Sequence, residues 1–320
     1  MPDAPTTPSH DAPTPARSGG GGAAAAKVAA VGAVAGTAAL AWALFEAQWF
    51  VLRHLHLTGV VHGSPRPLRI LHLSDLHVSQ PGGRMGDFIT SLVDEDYDLV
   101  VVTGDLLGDA SMEDDTVAML APLTASGTPG VVVLGSNDFH APVARNPLGY
   151  LVAPTTSTDD EDPLGPRLDT DRLVAGLARE GFTTLRNEVV TVTTAKGEVV
   201  VSGLDDPHTG APLPDARDVA STAQGIAHLG LVHSPYKAAL DLRVGVGADL
   251  VLAGHTHGGQ VRVPGVGALV TNSDLPPAQA RGLSRHRNVP LHVSAGLGTS
   301  KYAPIRFACR PEATLLTLLP

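Results

Sequence analysis

The chain has 320 residues, carries a formal charge of −10, and is 43% hydrophobic but only 4% aromatic. That length allows one large domain or two small ones with a substantial core, filled mainly by Val, Leu and Ala. The negative charge argues against a general nucleic-acid binder, since it repels the phosphate backbone. The single cysteine, Cys309, excludes an internal disulfide framework and a thiolate zinc cluster. Any metal must therefore be held by His, Asp, Glu or Asn, and Cys309 reads as a small buried apolar residue.

Residues 1–22 are rich in Pro, Ala, Thr, Ser and Gly, without apolar periodicity, and are expected to be a disordered tail. Residues 23–52 form an apolar, Ala-rich stretch whose uncharged run Val28–Phe45 lies near the lower limit for a bilayer span. Basic residues flank both sides (Arg17 and Lys27 before, Arg53 after), so charge sets no orientation. A single N-terminal membrane anchor is the favoured reading. An export signal and a helix lying on a soluble domain are its alternatives.

The globular domain is expected over 57–320. In LRILHLSDLH, a short strand Arg69–Leu73 delivers Ser74, Asp75 and His77 at its C-terminal end. A helix is expected over Met85–Tyr97. The segment DLVVVTGDLLGD then repeats the design, ending in Gly104–Asp105. A second helix, Glu113–Ala125, leads to GVVVLGSNDFH, whose strand ends in Gly135–Ser136–Asn137–Asp138. Alternating helices and continuously apolar strands predict a parallel sheet covered on both faces, with ligands beyond the strands' carboxyl ends. Thr155–Pro166 is acidic and reads as a surface insertion, followed by an amphipathic helix over Asp169–Gly181. Glu188–Thr194 and Glu198–Gly203 form a hairpin around Ala195–Lys196–Gly197. After Asp205–Asp206–Pro207–His208 a further helix is expected, then HLGLVHSPY, a strand presenting His233. DLVLAGHTHGGQ is a buried strand, Leu250–Ala253, whose turn projects His255 and His257. Strands over Gln260–Val263, Leu291–Ser294 and Ala313–Leu318 imply a second sheet packed on the first.

The residues collected at strand ends are Asp75, His77, Asp105, Asn137, His233, His255 and His257. Oxygen and imidazole donors in this mixture suit two divalent ions, Mn, Fe or Zn, better than Ca or Mg. Two ions about 3.5–4 Å apart that share a carboxylate suit hydrolysis of a phosphate ester. His72, inside a strand, reads as a hydrogen-bonded core histidine. Asp109 and Asp138 read either as partners of ligand imidazoles or as turn caps. Asp205, Asp206 and His208 either line the cleft or simply form a turn closed by Pro207. His54, His56, His62 and His286 read as surface groups.

D-x-H, G-D, a G-S-N-D turn, a lone His and G-H-x-H follow strands in that order. This chain resembles the calcineurin-like metallophosphoesterases from Leu68 to Leu319. Its GHTHGGQ form, its DDP segment and its tail GLGTSKYAPIRFACRPEATLLTL look like the bacterial branch with a membrane-proximal or exported N-terminus. The resemblance implies an α/β fold, a two-sheet β-sandwich flanked by helices. It also implies one metal on Asp75, His77 and His257, a second on Asn137, His233 and His255, and Asp105 bridging.

One motif departs. Where the family has G-N-H-D, this chain has Gly135–Ser136–Asn137–Asp138. Without a gap Ser136 takes the ligand position; shifted by one residue, Asn137 does. An amide oxygen is the better ligand, which favours Asn137. Either way the family's catalytic histidine is missing, and His140 is the nearest replacement in sequence. The expected activity is metal-dependent phosphoesterase chemistry on a phosphate ester, a phosphodiester for preference and lipid-linked if the N-terminus is an anchor. A scaffold that keeps the fold without catalysis is the alternative class.

Overall fold

The computed structural model describes residues 20–143, 165–210, 212–221 and 223–320. Most of the N-terminal tail (residues 1–19) and most of the acidic insertion (155–164) lie outside them. Two compact units are found, Met1–Ala41 and Trp42–Pro320. Helix α1 runs over Gly20–Glu46, and its last turn, from Trp42, belongs to the second unit. It stops at Glu46, short of the expected Leu52, because Val51–Thr58 is instead a strand, β1. Its alternating Leu55 and Leu57 pack inward while His54 and His56 stay exposed, the period-two pattern of an edge strand.

The second unit contains two six-stranded sheets. The first is built from β1, β2 (Leu68–Leu73), β3 (Leu99–Thr103), β4 (Gly130–Val133), β5 (Phe182–Leu185) and β14 (Glu312–Leu319). Their order is β1-β14-β2-β3-β4-β5, and β2 through β5 are mutually parallel. The second holds β6 (Glu188–Thr194), β7 (Gly197–Gly203), β8 (Ala227–Leu231), β9 (Leu250–Ala253), β12 (Gly282–His286) and β13 (Val289–Val293). Its order is β12-β13-β9-β8-β7-β6, with β7, β8, β9 and β13 parallel. A short hairpin, β10 (Arg262–Val263) and β11 (Gly267–Ala268), stands apart from both sheets.

Alternation within the strands divides the core. Leu68, Ile70, Leu99, Val101, Val131 and Val133 meet Val199, Val201, Leu229, Leu231, Leu250 and Leu252 between the sheets. On the outer face of the first sheet, Leu71, Leu73, Val100 and Val102 pack with Ile89 of α2 (Gly83–Ser91), Leu120 of α3 (Glu113–Leu120) and Leu173 of α4 (Thr170–Arg179). Leu240 of α5 (Lys237–Gly245) covers Val251, Leu291 and Val293 on the outer face of the second. The architecture is the expected two-sheet sandwich flanked by helices.

Three helical expectations change. The helices expected over Met85–Tyr97 and Glu113–Ala125 end early, at Ser91 and Leu120, each followed by one 3-10 turn. In the second case Pro122 lacks the N–H an α-helix needs there. The helix expected after His208 is absent among the described residues. Pro212 and Pro214 interrupt that segment, which holds only 3-10 turns at Pro207–Thr209 and Ala216–Asp218.

Candidate metal centre

β2, β3 and β4 are parallel in the first sheet and β8 and β9 in the second, and the residues beyond their carboxyl ends come together. The residues immediately after them make the site. Two groups of donor atoms converge there: Asp75, His77 and His257, and Asp105, His233 and His255. Asp105 stands between them, its Oδ2 lying 3.5 Å from His77 Nε2 and 3.4 Å from His233 Nε2. Asn137 reaches the second group through Asp105, which accepts both its backbone N–H (2.9 Å) and its side-chain amide (2.7 Å). Ser136 is engaged through its backbone N–H, which donates to Asp206.

The turns that carry these groups are conformationally costly. Asp75, His77, Asp105, His255 and His257 all have positive φ, between 45° and 69°. Side-chain-bearing residues rarely adopt this region, and such outliers collect at functional sites. Glycine provides the clearance. A Cβ on Gly135 would lie 2.2 Å from Asp105 Oδ1 and 2.7 Å from His233 Nε2. Asp138 ties two of the turns together, accepting the N–H groups of Leu106 (2.7 Å), Leu107 (3.0 Å) and Gly135 (2.9 Å). It is therefore a turn clamp. Asp109 caps its own turn, accepting the Ala110 N–H at 3.0 Å, pairs with exposed Lys301 at 2.5 Å and, among the described residues, orients no imidazole.

The electrostatics call for cations. Burial would lower His233, but Asp105, Asp206 and Asp75 outweigh it and hold its pKa well above the usual value. Burial and the neighbouring Asp105 push Asp75 up to about 7 despite His233, and the same two causes push Asp138 to about 7. Burial would raise Asp105 as well, yet His233, His77 and His255 keep it well below the ordinary range. His255 falls to about 3 and His257 well below normal, each mainly through burial.

The hydrogen bonds agree with this reading. His233 Nδ1 is 2.7 Å from Thr103 O and so donates its proton there. Its Nε2 is buried without a hydrogen-bond partner and faces Asp105, where either a proton or a metal is required. His255 Nε2 donates to Asn272 O at 2.9 Å, which leaves Nδ1 as the donor atom. The donor set, carboxylate and neutral imidazole, fits two divalent ions.

Around this centre are groups that sequence reasoning left open or missed. His208 packs its ring 4.9 Å from that of His255. Its Nδ1 lies 2.9 Å from Asp206 Oδ1 and its Nε2 3.0 Å from the Tyr236 hydroxyl. Asp206 is buried, and His208 and His233 overcome burial to hold it near pKa 2. Both readings for Asp206 and His208 hold: Asp206 caps the 3-10 turn Pro207–Thr209, accepting the His208 N–H, and the pair lies beside His233 and His255. Arg306 was missed. It is wholly buried, donates to the carbonyls of Ala295, Gly296 and Gly298, and lies 3.5 Å from His257 Nδ1. An arginine inside the otherwise apolar run Ala303–Cys309 was the available signal.

By contrast, no hydrogen bond joins the His140 side chain to the centre among the described residues; its backbone pairs with Arg167. His72 is a core histidine, 2.9 Å from Thr103 Oγ1 and 3.0 Å from His292 Nδ1. His62 lies at the surface beside Asp249 at 3.1 Å, whereas His286, expected at the surface, is part-buried against Asp241 at 2.5 Å.

The family model described as calcineurin-like phosphoesterase matches residues 68–259, more than half of the chain. The uncharacterized metallophosphoesterase YkoQ of Bacillus subtilis (strain 168) is 29% identical over 256 residues, spanning 78% of this chain and 83% of the relative. Phosphodiesterase YaeI of Escherichia coli (strain K12) is 28% identical over 281 residues, spanning 86% and 90%. The uncharacterized metallophosphoesterase YkuE of Bacillus subtilis (strain 168) is 27% identical over 257 residues, 78% of each chain. Both donor groups arise from the matched segment, and this chain belongs to the calcineurin-like phosphoesterases.

Proposed function

We propose that the chain hydrolyses a phosphodiester at a dinuclear centre formed by Asp75, His77, Asp105, Asn137, His233, His255 and His257. The observation that carries this is Asp105, whose carboxylate stands within 3.5 Å of an imidazole nitrogen from each donor group. Bound there, two divalent ions would supply Lewis acidity toward a phosphoryl oxygen and lower the pKa of water. Asp75, His77 and His257 would hold one, and His233, His255 and Asn137 the other, once the Asn137 amide turns its oxygen inward. Likeness to a relative named a phosphodiesterase favours a diester over a monoester.

In place of the histidine absent from the Gly135–Asp138 turn, His208 is the better supported group. Asp206 orients its ring, and its Nε2 faces the Tyr236 hydroxyl beside His255. His140, the nearer residue in sequence, has no such link to the centre among the described residues.

The N-terminal helix is read as a membrane segment and the substrate as lipid-linked, as in a branch with a membrane-proximal N-terminus. Ala29–Glu46 has a mean hydropathy of 1.5 over 18 residues and is only 11% buried. A second reading is an export signal, since Ala39–Leu40–Ala41 is a small-x-small sequence directly before the compact unit at Trp42.

Metal analysis combined with hydrolysis of an aryl phosphodiester and the matching monoester tests the chemistry. About two ions per chain and a faster diester reaction are expected, whereas fewer than one ion or a clear monoester preference would overturn it. Fractionation with intact mass tests the helix. The anchor predicts the full-length chain in membranes, extractable only by detergent. The signal predicts a mass beginning at Trp42.

A further inference from the structure

The end of α1 is fastened into the catalytic unit. Glu46 is buried, and its carboxylate accepts the N–H groups of Ala308 (3.0 Å) and Cys309 (2.6 Å) and the indole N–H of Trp42 (2.8 Å). Arg306 N donates to Ala43 O at 3.0 Å. The only acid of this segment is thus consumed inside the fold. What stays outside is aromatic: Trp42, Phe45 and Trp49 cluster with ring centroids 5.7–6.2 Å apart, each more than two-fifths exposed. Arg310 lies over the Trp49 ring at 4.0 Å.

The β10–β11 hairpin adjoins this cluster. Pro264 at its turn shares a cavity of about 310 Å³ with Trp42, Trp49, Phe307 and Ala308. The hairpin is pinned at its base, where Arg262 N donates to Phe307 O and Phe307 N donates to Gln260 O. Two strands have no core of their own, yet this pair exposes Val261, Val263, Leu269 and, at 73%, Val266. Its one charge, Arg262, is turned back onto Gly258 O at 2.7 Å. Removing such apolar side chains from water is favourable, so a cover of some kind is favoured.

We propose that Val261–Leu269 and the Trp42–Phe45–Trp49 cluster form one bilayer-seating surface, with the hairpin entering the interfacial layer of the membrane that α1 enters. This rests on the reading of α1 as a membrane segment. A lipid surface is the favoured occupant because Trp42 and Phe45 end the apolar stretch Ala29–Glu46, which is long enough to cross a bilayer, and tryptophan belongs at the boundary between acyl chains and water. Seating the hairpin also positions the centre. Val261 follows His257 by four residues, at most about 14 Å of chain, so the site would lie close to the headgroup layer, where a lipid's phosphoester is found.

The test uses the full chain reconstituted into vesicles of phosphatidylethanolamine and phosphatidylglycerol. Val266→Cys carries a polarity-sensitive fluorophore, and Val93→Cys, exposed near the opposite strand ends, is the control; native Cys309 is buried. After flotation, the Val266 probe should be blue-shifted and quenched several-fold more by spin-labelled lipid than by iodide, with the reverse at Val93. If the chain floats but iodide quenches both probes equally, the seating proposal fails and the anchor stands. If the Val266 probe is shielded from both quenchers, a second copy or a protein partner covers the hairpin and the proposal is again overturned. A full-length chain that does not float removes both readings.

Discussion

His77 and His257, 180 residues apart in the chain, bring their Nε2 atoms to within 3.0 Å of one another. Burial lowers the pKa of both, so both are neutral imidazoles, and their contact is satisfied either by one Nε2–H donating to the other ring or by an ion that takes both lone pairs. A divalent ion between them would be stabilising. At one hundred times its Kd, a ligand that binds only the folded state adds about 2.7 kcal/mol. Adding Mn²⁺ or Zn²⁺ to chelator-treated protein should therefore raise its Tm. The rise should be reduced in a His77→Ala/His257→Ala variant, which keeps only the Asp105, His233 and His255 group, and an undiminished rise would show that this pair provides neither site.

Asp105 supplies the charge common to both donor groups. Asp105→Asn removes that charge while keeping the shape, and should lower both metal content and turnover. Elemental analysis that still finds two ions per chain, together with a native rate, would show that Asp105 does not bridge.

Asp138 should matter for a different reason, because it binds no candidate ligand directly. Asp138→Ala leaves three buried N–H groups without their acceptor, and should cost about 3 kcal/mol or more in urea denaturation. Metal retention should fall with it, since the Asp105 and Asn137 turns share the clamp. Unchanged stability would mean that water replaces the carboxylate.

Leaving-group chemistry separates His208 from His140. Positioned acid catalysis contributes about 10²–10⁴-fold, and most to alkyl esters, whose alkoxide leaves poorly. His208→Ala should slow alkyl esters far more than nitrophenyl esters, with Asp206→Asn acting in the same direction. His140→Ala should change neither. The opposite pattern would return the role to His140, and equal losses on both substrates would mark the residue as structural.

Away from the centre, burial holds His292 at about pKa 4 and His72 well below its ordinary value. A histidine depressed by folding takes up its proton first in the unfolded chain. Stability is therefore unaffected above about pH 6.5 and falls as pH drops toward 4, by at most about 1.4 kcal/mol per unit for each such residue. His292→Asn should flatten the decline between pH 7 and 5, measured by urea denaturation of metal-loaded protein. An unchanged slope would show that His292 does not contribute.

Much of this architecture could be read from the chain because parallel strands make position and chemistry coincide. Once Leu68–Leu73, Leu99–Thr103, Gly130–Val133 and Leu250–Ala253 are read as buried strands, the polar residues after each must gather at one end. What could not be read depends on long-range contacts. Strand β1 was hidden in a stretch whose composition continues that of α1, and only its parallel register with β14, Val51 opposite Glu312, defines it. Proximity in sequence favoured His140, whereas His208 arrives from the β7–β8 connection, beyond local spacing rules. Arg306 contacts His257 across 49 residues and carries no motif of its own.

The left-handed backbone at five of the clustered residues bears on how such an enzyme would decay. Glycine, and to a lesser degree asparagine, relieves strain at positive φ; aspartate and histidine are tolerated there better than most side chains but still cost more than glycine. Substitutions such as Asp105→Gly or His257→Asn would then relax the fold in the same step that removes a donor. For this centre, mutational drift toward greater stability runs toward loss of activity, and only selection for turnover keeps those turns wound as they are.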